Sequence, residues 1–144
     1  MKLSELKEEA SQDLQIDRTD LETSILNLSM LCSKWHNYRI EQASIVSLNQ
    51  FKYKKLEAKK KKYYLGKLTE DEMDRLGWES DGYKVLKGDV QMWLDDDDDL
   101  ITEAQKLTYQ KEILHFIEKQ MDLLDSNKWL IKDLINVRKF LEGG

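Results

Sequence analysis

Residues 19–65 read TDLETSILNLSMLCSKWHNYRIEQASIVSLNQFKYKKLEAKKKKYYL, with neither proline nor glycine along the way. Thr19-Asp20-Leu21-Glu22 forms a capping box, threonine at the N-cap and glutamate at N3, with acidic residues at the positive end of the helix dipole. No breaker follows until Gly66. The stretch predicts one helix of about 46 residues, which at 1.5 Å per residue is ~70 Å long. Leu21, Ile25, Leu28, Cys32 and Trp35 alternate spacings of four and three, the mark of a heptad seam. The seam slips after Tyr38 and resumes less regularly at Ile45, Leu48, Phe51 and Leu56. A helix of this length cannot bury its seam against so short a chain, so self-association through helix packing is expected.

Outward from this helix, residues 1–16 predict a shorter one, with Leu3, Leu6, Ala10 and Leu14 on one face. On the other side, residues 66–99 form a turn-rich segment, polar over 66–82 with one helical turn at 69–76. Within them Gly88-Asp89 separates two short runs rich in Val, Leu, Tyr and Trp, which predicts a β-hairpin over 83–94. Five consecutive aspartates, Asp95–Asp99, follow. Residues 102–141 then predict two helices, Thr102 to about Leu124 and Ser126 to Leu141, with Ser126 as N-cap and Gly143 as stop. The expected fold class is mainly α: one long amphipathic helix, shorter helices and one small hairpin, in a single domain over 1–144.

Composition agrees with helix. The 144 residues include no proline and six glycines, and 35% are charged, with both signs mixed. A single cysteine excludes an internal disulfide framework, and the charged N-terminus lacks the apolar core of a secretion signal. No stretch approaches the roughly 20 apolar residues of a membrane span, so a soluble intracellular protein is expected.

The formal net charge is −5, yet Lys52–Lys67 contains eight lysines and one glutamate, a local +7 that leaves −12 for the rest. On a helix, Lys52, Lys55, Lys59 and Lys62 form one stripe about 15 Å long, the span of two or three phosphates of an extended strand. Lys54, Lys60, Lys61 and Lys67 add charge beside it. Tyr63 and Tyr64 offer flat faces for unpaired bases, a contact worth ~1–3 kcal/mol per base. No arginine or asparagine suited to reading base edges occurs in this stretch. Sequence-tolerant, salt-sensitive binding to single-stranded nucleic acid is therefore expected. The plainer reading is that lysines complement the negative end of the dipole while the tyrosines extend the apolar face with Leu56 and Leu65.

The aspartate tract lacks the glycine and closing glutamate of an EF-hand and reads best as a solvated linker. A sharper reading is that it competes with nucleic acid for the lysines. His36 and His115, far apart in sequence, take structural roles, and Cys32 packs at a seam position. Trp35 and Trp129 lie on apolar faces as core or subunit contacts. Trp78 and Trp93 flank the expected hairpin. No P-loop, dinucleotide fingerprint, nucleophile elbow or zinc-protease motif is present, so neither a catalytic site nor a metal or cofactor site is expected.

The opening MKLSELKEEA with Ile16-Asp17, then Ser33-Lys34-Trp35, the lysine tract running into Tyr63-Tyr64 and Gly66, Met73-Asp74-Arg75, Ile131-Lys132-Asp133 through Val137-Arg138-Lys139-Phe140, and the closing Glu-Gly-Gly are similar to one family nearly end to end. The chain resembles UvsY, the recombination mediators of T-even-type phages. That resemblance implies a small helical protein in a ring-like homo-oligomer, working in the cytoplasm of the infected host. It implies binding to single-stranded DNA, contact with the phage recombinase and the phage single-strand-binding protein, and help for the recombinase on covered DNA. It implies no catalysis and no metal. Basic residues before the Tyr-Tyr pair are the family's DNA-contacting positions. They map onto Lys60, and onto Ala58, where this sequence departs and Lys59 and Lys61 stand nearby. The aspartate run is a second departure. From the residues alone, the rival reading is an oligomeric adaptor whose lysine end docks an acidic protein.

Overall fold

A computed structural model describes residues 1–79 and 84–143. The chain has five helices there: α1 (Leu3–Asp13), α2 (Leu21–Tyr64), α3 (Glu70–Leu76), α4 (Val90–Asp95) and α5 (Asp98–Leu141). They build two compact units, one of Met1–Ser44 with Lys111–Gly144 and one of Ile45–Gln110.

In the first unit, Leu6 and Ala10 of α1, Leu28 and Trp35 of α2, and Ile113, Ile117, Leu124 and Ile131 of α5 form one core. Each fully buried side chain of this kind contributes roughly 1.5–3 kcal/mol. Polar ends are tied as well. Trp35, fully buried, donates its indole N–H to Asp13 Oδ2 at 2.9 Å, and Lys34 Nζ pairs with the same oxygen at 2.5 Å and with Glu9 at 2.8 Å. At the end of α1, Ala10 O accepts the Leu14 amide and also Gln120 Nε2, each at 3.1 Å, and Leu14 O, past the last turn, accepts from Asn127 Nδ2 at 3.0 Å.

The second unit gathers Tyr63, Tyr64, Met73, Val90, Leu94 and Leu100, with Tyr53, Leu56, Leu65, Leu68, Trp78 and Val85 against them. Lysines thus sit on a helix whose other face is aromatic core.

Several expectations are corrected. The long helix is continuous through Gln42, but its buried row in the first unit is Leu21, Leu28, Trp35 and Gln42, flanked by half-buried Ser24, Leu31 and Tyr38. Ile25 and Cys32, assigned to the seam, are exposed, as are Leu48 and Phe51 further on. Both rows through Leu21, Leu28 and Trp35 alternate threes and fours: the row with Ser24 packs within the chain, and the row with Ile25 and Cys32 stays on the surface of the single chain. The cap is also one residue later: Asp20 accepts from the Thr23 amide at 3.1 Å and the Thr23 hydroxyl at 2.6 Å, while Thr19 donates to Asp17.

The hairpin over 83–94 does not form. Tyr83 lies outside the described residues, and among those described there is no strand. Val90–Asp95 is helical, because Val90 and Leu94, four apart, both face the core. Gly88 lacks the positive φ that a tight hairpin turn demands. The two expected C-terminal helices are one: the row Ile113, Ile117, Gln120, Leu124, Asn127, Ile131 keeps its four-three spacing through Asp125-Ser126, which face solvent. Ser126 Oγ donates back to Asp122 O at 3.1 Å instead of capping. Trp129, placed on an apolar face, is 58% exposed, and His36 and His115 are both exposed.

Candidate nucleic-acid interface

Every sequence-assigned contact residue lies in the second unit, on the last turns of α2 or just past them. Gly66, at φ 72°, ends the helix: its amide bonds to Tyr63 O at 3.1 Å and the Lys67 amide to Lys62 O at 2.8 Å. Lys61 and Lys62 stand in the last turn, where cations complement the dipole.

The helical repeat then separates the tract into two rows. Tyr53, Leu56, Lys60 and Tyr63 follow a three-four-three spacing on the core side. Tyr63 is 7% exposed and Tyr64 8%. Neither presents a face to a base in this conformation. Tyr63 packs at 5.0 Å from Trp78, and its hydroxyl donates to Glu79 O. The adjacent row, Lys52, Lys55, Lys59 and Lys62, is solvent-facing, Lys59 half-buried and the others exposed. Lys54, Lys61 and Lys67 are exposed too. None of these seven forms an ion pair among the described residues.

Lys60 is different. Its side chain is almost wholly buried, and its Nζ lies 2.8 Å from Asp99 Oδ2, 3.2 Å from Asp97 Oδ2 and 4.4 Å from the centre of the Trp78 ring. Burial pulls the ammonium down, but the hydrogen bonds to Asp99 and Asp97 outweigh it and hold Lys60 above the ordinary lysine value. Asp97 is equally engaged. Its Oδ1 caps α5 by accepting the Leu100 amide at 2.9 Å, and its Oδ2 accepts from the Tyr64 hydroxyl and Lys60. Burial raises the Asp97 carboxyl, and the hydrogen bonds from Tyr64, Leu100 and Lys60 win, leaving it below the ordinary range.

The aspartate tract is therefore not a solvated linker. Asp95 ends α4 and accepts from Gln91 at 2.7 Å, Asp97 caps α5, and Asp98 and Asp99 begin it. The sharper reading had the tract engage the lysines, but not that Lys60 alone would be buried against it, although one signal was present. Lys60 falls in a row otherwise made of Tyr53, Leu56 and Tyr63, and a lysine on an apolar face needs an acid.

Among the described residues no group of three or more His, Cys, Asp or Glu could hold a metal ion, and no helix is long and apolar enough to cross a membrane. Fold and surface define an all-α protein with a concentrated cationic row. Comparison with known proteins goes further: the family model described as "Recombination, repair and ssDNA binding protein UvsY" matches residues 9–144, and the chain belongs to the UvsY family. The recombination protein uvsY of Enterobacteria phage T4 is 30% identical over 150 residues, covering 99% of each chain. A crystal structure of the bacteriophage T4 recombination mediator protein UvsY matches with a TM-score of 0.85 at 28% identity, over 100% of this chain and 99% of that one. A second crystal form matches at 0.81 and 26%, over 94% and 98%.

Proposed function

We propose that this protein is a recombination mediator that binds single-stranded DNA without sequence preference, as a homo-oligomer, and promotes loading of a phage recombinase onto DNA covered by the phage single-strand-binding protein. The observation that carries the DNA contact is the row Lys52, Lys55, Lys59 and Lys62, solvent-facing and without ion pairs among the described residues, with Lys54, Lys61 and Lys67 beside it. Lysines of this kind neutralise phosphates without reading bases. In this reading Lys60, Tyr63 and Tyr64 act indirectly, by fixing the helix that displays the row.

One row binds few phosphates, and several copies on one assembly raise the avidity without new chemistry. Exposed apolar side chains support self-association: Leu26 and Met30 on α2, and Val137, Phe140 and Leu141 at the end of α5 are each more than half exposed. They suit a second copy better than water.

The test is the salt dependence of binding to a labelled oligo(dT). Log K falls against log salt by about 0.7 for each phosphate neutralised. Charge reversal of Lys59, Lys61 and Lys62 that left affinity intact would overturn the DNA reading and favour an adaptor docking an acidic protein.

A further inference from the structure

With Tyr63 and Tyr64 inside the second unit, a protein contact to the bases of a bound strand falls to another surface. Beside the lysine row, Lys59, Leu68, Glu72, Arg75 and Leu76 line a groove of about 420 Å³, a volume in the range of small-molecule sites. It is framed on one side by the end of α2 and on the other by α3. The sharp turn at Gly66 and the Thr69 cap, whose side chain accepts the Glu72 amide, set α3 in place. Gly77, at φ 71°, closes α3 immediately after Leu76.

Arg75 is exposed, makes no ion pair among the described residues, and is steadied only by its Nε donating to Asp71 O at 3.4 Å. Lys59, also without an ion pair among the described residues, belongs to the row assigned to phosphates. Leu68 and Leu76 are half-buried and supply apolar surface. Glu72 lines the same groove with a carboxylate that neither cation engages within ion-pair distance.

We propose that this groove is a nucleotide subsite that takes one unstacked base of single-stranded DNA, and that Arg75 is a further DNA-binding residue. The inference rests on the DNA reading above. Lys59 meets the phosphate. The base lies against Leu68 and Leu76, with the planar guanidinium of Arg75 on its open face. Glu72 accepts from the base edge. Thymine and guanine carry a ring N–H there and cytosine and adenine an amino group, so a lone carboxylate acceptor admits all four. The site adds affinity for bases without selecting a sequence.

The test compares oligo(dT) with an abasic strand of equal length, on the full chain and on Arg75→Ala and Arg75→Lys, with thermal melts as a check on folding. The wild type is expected to prefer oligo(dT) roughly tenfold, the size of one base stacked on a side chain. Arg75→Ala is expected to bring the ratio close to one. Arg75→Lys, which keeps the charge and loses the plane, is expected to lower the ratio while leaving abasic binding and its salt slope unchanged. A wild type that binds both strands equally, or an Arg75→Ala ratio equal to wild type, overturns the subsite. So does full retention of the ratio by Arg75→Lys, which would reduce Arg75 to a phosphate contact. Failure of the wild type to bind either strand overturns instead the DNA reading on which the subsite depends.

Discussion

Lys60 Nζ and Asp99 Oδ2 lie 2.8 Å apart, so the lysine that the family resemblance singles out is held by an acid from the five-aspartate tract. Asp99 is itself 62% exposed, close to the surface on which the free lysines stand. Its charge opposes any polyanion approaching there. Asp99→Ser is expected to raise affinity for oligo(dT) at low salt by about threefold, in line with one partly screened charge. Fluorescence anisotropy at 50 and 200 mM salt checks this, and the gain should shrink at the higher salt. Unchanged affinity would show that the tract does not compete with DNA.

Lys59 and Lys60 are neighbours in sequence with opposite expectations. Lys59→Gln leaves the fold intact and lowers the salt slope by about 0.7, one phosphate contact. Lys60→Met strands the buried Asp97 carboxylate and costs about 3 kcal/mol of stability. Urea melts set beside binding curves separate the two. A stable Lys60→Met protein with a reduced slope would return Lys60 to the DNA-contacting set.

The same network makes stability depend on pH at both extremes. Asp97 lies below its ordinary value of 3.8, so its stabilisation is present above that value and lost as pH falls through the lower folded one. Lys60 lies above its ordinary 10.5, so its contribution is present below that value and lost as pH rises past it. Denaturation midpoints at pH 7, 5 and 3 should fall mainly at the last step, and Asp97→Asn should flatten that fall.

In the first unit, Trp35→Phe removes the indole N–H that Asp13 accepts together with part of a fully buried ring, while Lys34 still pairs with the acid. A loss of about 2 kcal/mol is expected, from the hydrogen bond and the smaller ring. Trp35→Ala empties a fully buried site and should cost about 3–5 kcal/mol. A melt that ranks the two variants equally would assign the role of Trp35 to its polar edge alone.

The helical class was legible because composition, the absence of proline and the heptad spacings all pointed one way. The face packed within the chain was not: rows through Leu21, Leu28 and Trp35 exist on both sides of α2, and the chain's own core takes the one with Ser24, leaving the one with Ile25 on its surface. The hairpin failed for a related reason: Val90 and Leu94 suit a strand by propensity, yet their spacing of four matters more once a core lies beneath them. At the candidate interface, the lysine row Lys52, Lys55, Lys59 and Lys62 was readable from spacing alone. The burial of Tyr63 and Tyr64 was present only as the plainer reading, an apolar face shared with Leu56 and Leu65, and the burial of Lys60 was not, because it depends on an acid 39 residues away.

Asp97 does its work inside a run of five identical residues. Insertion or loss of one aspartate there would still leave a carboxylate at the cap of α5 and another within reach of Lys60. The junction of α4 and α5 is thereby a clasp indifferent to small changes in its own length, and tolerance of indels becomes a property of the repeat rather than of any single residue.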